Sequence, residues 1–137
     1  MYIHVNTRIT HVYIYIWKNG SNFVYTVHTG NGDHKMEQKE KEIEKRLVNV
    51  VKDKGGLCLK LASPGRIGVP DRIIIYPNGV VGFAELKRPG AVPRPLQEYW
   101  LELLRKLGLP AEAIDSKTAA AEYALRLKME SLRREKR

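Results

Sequence analysis

The sequence predicts a mixed α/β domain whose elements run α-β-β-β-α-β-α, with a mixed central sheet flanked by helices and a β-hairpin-like appendage at the N-terminus. Three observations carry that prediction. Residues 37–54 repeat apolar side chains at helical spacing and stop at Gly55-Gly56. Two β-rich runs flank the turn Pro77-Asn78-Gly79. The last third alternates helix starts and stops around one short strand. With 137 residues, the chain has enough material for one ordinary core. Its 43% hydrophobic and 28% charged residues fit a globular protein rather than a disordered one.

Taken in order, residues 1–35 hold all four histidines, four of the seven tyrosines and one acid, Asp33. Val12 to Trp17 and Phe23 to His28 flank Asn19-Gly20, a dipeptide suited to the positive φ of a tight hairpin turn. An isolated hairpin is marginal in water, so the segment is either an appendage, even the product of an upstream start codon, or an integral hairpin. Gly30, Gly32 and Asp33 read as a connector. From residue 36 the pattern is dense. Ile43, Leu47, Val50 and Val51 define the buried stripe of the first helix. Leu57 to Ala62 is a short strand, and Ser63 to Pro70 a loop with two prolines and two glycines. Asp71 to Tyr76 and Val80 to Lys87 form a hairpin. Pro95 opens the next helix, which stops at Gly108. Ala111 to Ile114 is a weak strand, and a last helix begins at Ser116 or Lys117. The expected organisation is 1–35 appendage, 36–132 domain, and 133–137 charged, frayed tail.

The bulk numbers exclude several classes. No apolar run approaches the roughly 20 residues of a membrane-spanning helix. The stretch Val12 to Trp17 is too short for a secretory signal, so a cytoplasmic location is expected. A single cysteine, Cys58, rules out an internal disulfide and a cysteine-rich zinc site, and reads as a small core residue. A net charge of +9 favours a polyanionic partner such as DNA.

The chemistry lies in Pro70-Asp71 and Glu85-Leu86-Lys87. If Pro77-Asn78-Gly79 is a three-residue loop, Tyr76 faces Val80 and Asp71 lies directly opposite Glu85. Lys87 then shares their face, which continues through Ile73, Ile75, Val81 and Phe83 into the expected core. Opposed Cβ atoms sit about 4.5–5.5 Å apart, and like charges there destabilise. Two carboxylates so placed need a proton, a basic partner or a cation. Residues 36–137 contain no histidine, so oxygen ligands point to a hard ion, Mg²⁺ or Mn²⁺, and to metal-activated water attacking phosphorus. Lys87 would orient that water or stabilise the transition state. The plain alternative is a solvated salt cluster, and a one-residue slip of register would turn Asp71 to the other face.

These motifs resemble a known family. The order Gly55-Gly56, Ser63-Pro64-Gly65, Gly68-Val69-Pro70-Asp71-Arg72, Glu85-Leu86-Lys87, Leu96-Gln97 and Ile114-Asp115-Ser116 resembles the VRR-Nuc family of the PD-(D/E)xK nuclease superfamily over about residues 36–128. The resemblance implies a restriction-endonuclease-like core and Mg²⁺- or Mn²⁺-dependent phosphodiester hydrolysis. It implies Asp71 and Glu85 as metal ligands with the backbone carbonyl of Leu86, and Lys87 as the catalytic lysine. It adds Gln97, which from the residues alone reads as an ordinary exposed helix glutamine. It also adds an acid on the first helix, assigned here to Glu44 with Glu40 as competitor. The loop before Asp71 supplies Ser63, Gly65 and Gly68 for close approach to a phosphate backbone, with Arg66, Arg72 and Arg88 as phosphate contacts; a plain connector is the alternative. Trp100 reads as core, with stacking on DNA conceivable.

The expected function is a DNA endonuclease acting on duplex or branched DNA, of the Holliday-junction type. It is expected to work as a homodimer, as the resemblance to stand-alone phage and bacterial members implies, with no membrane association and no small-molecule cofactor. The rivals are a non-catalytic DNA-binding module on the same fold and a restriction-type enzyme that reads a base sequence.

Overall fold

The computed structural model describes the backbone of residues 2–7, 10–19, 22–30 and 34–36, and all atoms of 37–137. It divides into two compact units, Met1–Glu37 and Gln38–Arg137.

The first unit is an antiparallel meander of β1 (Tyr2–Thr7), β2 (Thr10–Asn19) and β3 (Asn22–Gly30). The expected hairpin is its second half, with Asn19 opposite Asn22, and β1 is a strand the pattern did not announce. Gly20 of the expected turn, and Gly32 and Asp33 of the expected connector, lie outside the described residues.

The second unit begins within α1 (His34–Asp53), which starts one turn earlier than expected. Its sheet comprises β4 (Leu57–Lys60), β5 (Arg72–Tyr76), β6 (Val80–Leu86) and β7 (Ala111–Ile114), side by side in that order. β4, β5 and β6 pair antiparallel, while β6 and β7 run parallel because α2 (Pro95–Lys106) crosses between them. The register is the expected one: Tyr76 faces Val80 and Arg72 faces Ala84. Asn78 and Gly79 both adopt positive φ, 64° and 70°, closing the three-residue turn. The last helix, α3 (Lys117–Glu135), is capped by Ser116, whose Oγ accepts the Ala119 N–H at 3.0 Å. Arg133 and Arg134, expected in a frayed tail, instead continue α3 and pair with Glu130.

One expectation reverses. Ile73, Ile75, Val81 and Phe83 are only half-buried; the deep core lies on the opposite face, with Ile74, Tyr76, Val80 and Ala84. The reason is layering. Ile43, Leu47 and Val51 of α1 and Ala120, Tyr123, Ala124 and Leu127 of α3 form one buried cluster with those strand residues and Leu86. Buried Leu101 of α2 and Ala111 of β7 lie outside it, and among the described residues of this unit α2 is the helix on the other face, at its β7 side. With α1 and α3 on one face and α2 on the other, the face that carries Glu85 is the shallower one.

Candidate active site

Asp71 immediately precedes β5, and the ladder still holds it, since its carbonyl accepts the Leu61 N–H at 2.8 Å. Continuing the β5–β6 register puts Asp71 across from Glu85. Its Oδ2 accepts the Leu86 N–H at 2.8 Å, so the carboxylate turns in toward β6 instead of out to water. The Lys87 N–H donates to the Ile114 carbonyl at 2.9 Å, extending the β6–β7 pairing past the strand end and fixing where the Lys87 side chain starts.

Glu85 is 1% exposed, although it is a carboxylate. Its Oε1 accepts the Lys87 ammonium at 2.9 Å and the Gln97 side-chain amide. Gln97 is itself fixed, because its Oε1 accepts the Arg94 N–H at 2.9 Å and so caps the start of α2. The exposed helix glutamine expected from the residues alone is thus a clamp on Glu85. The other oxygen, Glu85 Oε2, is buried and meets no hydrogen-bond partner. Burial pushes the Glu85 carboxyl above its ordinary value, the neighbouring Asp71 carboxylate adds to the rise, and Lys87 opposes it. A buried polar atom left unpaired is costly, and beside a second carboxylate it is a position that a cation would satisfy.

The donor set suits a hard ion held loosely. Among the described residues no trio of His, Cys, Asp or Glu side chains converges to form a complete cage. The oxygen donors at hand for a hard ion would be the Asp71 and Glu85 carboxylates. That matches Mg²⁺, which keeps several waters and takes one or two carboxylates plus phosphate oxygens.

The two candidate helix acids, Glu44 and Glu40, have different partners. Glu44 ion-pairs with Arg72, accepting its Nε at 2.9 Å and a closer Nη2. Glu40, one turn earlier, lies nearer the site. Its carboxylate takes a hydrogen bond from the Arg88 backbone and senses both Asp71 and Lys87. Burial first, and the Asp71 charge next, raise its pKa. Both acids share one side of α1 at a spacing of four, and only the partner separates them. Arg72, expected on a phosphate, is a 16% exposed partner of Glu44.

The loop before Asp71 is pinned to α2. The Arg66 N–H donates to the Ser63 carbonyl at 3.1 Å, and Trp100 Nε1 donates to the Ile67 carbonyl at 3.1 Å. The Arg66 guanidinium lies 5.9 Å from the centre of the Trp100 ring. Gly68 has φ +87°, and a Cβ there would meet Leu96 at 2.8 Å, so α2 itself demands glycine. Gly65 and Arg66 are exposed, and Ser63 is half-buried. On the other side Asp115 accepts the Gly90 N–H at 3.4 Å, tying down the loop that carries Arg88. Trp100, expected in the core with stacking on DNA conceivable, is half-buried and bonded to this loop, and Asp115 had no role assigned from the sequence. The signals were present: Trp100 lies three residues from Gln97 on one helix face, and Asp115 adjoins the helix cap.

No family model matches the chain. Over 78 residues it is 45% identical to p44 of Acyrthosiphon pisum secondary endosymbiont phage 1, a protein named as a candidate nuclease; the match takes in 57% of this chain and 84% of that relative. A solved structure described as a VRR_NUC domain superposes with a TM-score of 0.58 at 33% identity, covering 61% of this chain and 91% of the other.

Proposed function

Because the chain belongs to the VRR-Nuc family, we propose that it is a divalent-metal-dependent DNA endonuclease, specific for branched DNA, with Asp71, Glu85 and Lys87 at its centre. The observation that carries this reading is the buried Glu85 carboxylate. One of its oxygens is tied to Lys87 and Gln97, and the other is unpartnered beside Asp71.

Asp71 and Glu85, with the Leu86 carbonyl, would hold Mg²⁺ or Mn²⁺. Bound there, the ion supplies an acidified water and neutralises charge on the scissile phosphate. The protein's own groups do the rest. Leu86 N–H fixes one oxygen of Asp71 and leaves the other toward the substrate. Gln97, locked by its cap bond, fixes the rotamer of Glu85. Lys87 directs one of its three N–H bonds at Glu85, leaving two for the attacking water or a phosphate oxygen. Glu40 is the helix acid in this reading, positioned by the Arg88 backbone to accept from water near Asp71. Glu44 serves instead to hold Arg72 at the base of β5.

Arg66 and Arg88, with Ser63, Gly65 and Gly68, would line the path of the phosphate backbone, and Arg72 stands behind them. The active unit is a homodimer in this reading. Its support is the apolar sheet face beside the site, where Leu57 and Leu59 on β4 are 58% and 48% exposed next to Ile75 and Ile73.

The test is cleavage of end-labelled linear duplex, single strand, flap and four-way junction in Mg²⁺, Mn²⁺ or EDTA. Wild type should cut the junction with either metal and not in EDTA. Asp71→Ala should abolish cutting and leave binding largely intact. Glu40→Gln should lower the rate by about 10–100-fold, the range seen for outer groups around a metal, and Glu44→Gln by far less. Binding without cleavage under all three conditions would favour a non-catalytic DNA-binding module.

A further inference from the structure

The loop that delivers Asp71 carries a feature the cleavage chemistry does not use. Ile67 is 80% exposed. A lone exposed apolar side chain is ordinary on a protein surface. This one differs in what holds it. Its own carbonyl is bonded to Trp100 Nε1, and the next residue, Gly68, is packed against Leu96 in a backbone conformation that resists substitution. Its predecessor, Arg66, is stacked over Trp100. The loop therefore presents an isoleucine to solvent from a fixed base, with a cation beside it. A side chain held in that way pays little ordering entropy when it inserts into something.

We propose that Ile67 is a wedge that enters an opened base step at a branch point while Arg66 engages the adjoining phosphate. The inference rests on the branched-DNA reading above and names the residue that would enforce it. Apolar side chains inserted between base steps unstack them and kink the duplex, at an energetic cost that is lowest where stacking is already interrupted. A rigid isoleucine would thus discriminate a junction from a continuous duplex without reading sequence. The spacing also sets the cut. Ile67 and Asp71 are four residues apart, so their Cα atoms are at most about 14 Å from each other. At about 3.4 Å per nucleotide along a strand, scission falls within about four nucleotides of the wedged step.

The experiment uses full-length wild type, Ile67→Ala and Ile67→Phe with a four-way junction and a matched linear duplex. Each DNA carries 2-aminopurine in turn at steps around the branch or the duplex centre, with Ca²⁺ in place of Mg²⁺ for binding. Fluorescence should rise on junction binding by wild type, fall back severalfold with Ile67→Ala, and return with Ile67→Phe. In Mg²⁺ the junction-over-duplex cleavage ratio should drop about tenfold in Ile67→Ala, equivalent to about 1.4 kcal/mol, with duplex cutting unchanged. No fluorescence rise with wild type, or an equal rise with Ile67→Ala, would overturn the wedge. A wild type that cuts linear duplex as readily as the junction would instead sink the branched-DNA reading, and the 2-aminopurine signal would still decide the wedge.

Discussion

A carboxylate sealed from water is costly to the fold unless a proton or a cation meets it. Glu85 is in that position, with its pKa raised chiefly by burial. A raised carboxyl pKa means the folded state disfavours the ionised form. The cost is therefore absent below the unfolded-state value and fully present above the folded-state value. Glu85→Gln should raise the melting temperature of metal-free protein at neutral pH, with the gain fading toward pH 4. Mg²⁺ should stabilise wild type in a thermal scan and leave the variant unmoved, and equal metal stabilisation of both would remove Glu85 from the ligand set. Two buried tyrosines, Tyr76 and Tyr123, make a second contrast. Tyr123 donates its hydroxyl to the Phe83 carbonyl at 2.9 Å, whereas Tyr76 is 2% exposed and its hydroxyl meets no partner. Tyr123→Phe should cost about 1 kcal/mol, and Tyr76→Phe should be neutral or stabilising, in urea unfolding curves.

The elements are held by close backbone approach as much as by apolar area. At Gly82 in β6, a Cβ would lie 2.6 Å from the Leu127 side chain and 2.7 Å from the Tyr123 hydroxyl, so α3 sits directly on the strand. Gly82→Ala should destabilise by about 1–3 kcal/mol, the usual cost of overpacking, with the loss visible as a lower urea midpoint. Much of this layer was legible in the sequence. The hairpin register followed from Pro77-Asn78-Gly79 alone, and with it the meeting of Asp71 and Glu85. Which face is deeper was not legible, because β5 reads Arg-Ile-Ile-Ile-Tyr and offers apolar residues to both sides. Alternation can identify a half-wet sheet; it is silent when both faces are greasy and only the number of covering helices differs. Nor could helical spacing choose between Glu40 and Glu44. In the fold Arg72 pairs with Glu44 from a strand 28 residues away, while Glu40 senses Asp71 and Lys87.

Over the whole molecule, the count of 24 Lys and Arg overstates the cations free to meet a polyanion. Arg72, Lys87, Arg105, Lys117, Arg126, Arg133 and Arg134 all sit in ion pairs within the fold. Binding in Ca²⁺, followed across a salt series, separates the two populations. Arg66→Ala should flatten the log–log salt slope by about one unit, and Arg72→Ala should leave it nearly unchanged. The fold also ties its end to its middle. Ser131 Oγ donates to the Pro77 carbonyl at 2.8 Å, Asn78 donates to the Ser131 carbonyl at 3.1 Å, and Arg134 donates to the Gly79 carbonyl at 2.9 Å, across 53 to 55 positions of chain. A ribosome thus releases Asp71 and Glu85 well before it releases the residues that clasp the turn between them. A product halted short of Ser131 would carry Asp71 and Glu85 on a hairpin whose turn lacks that clasp.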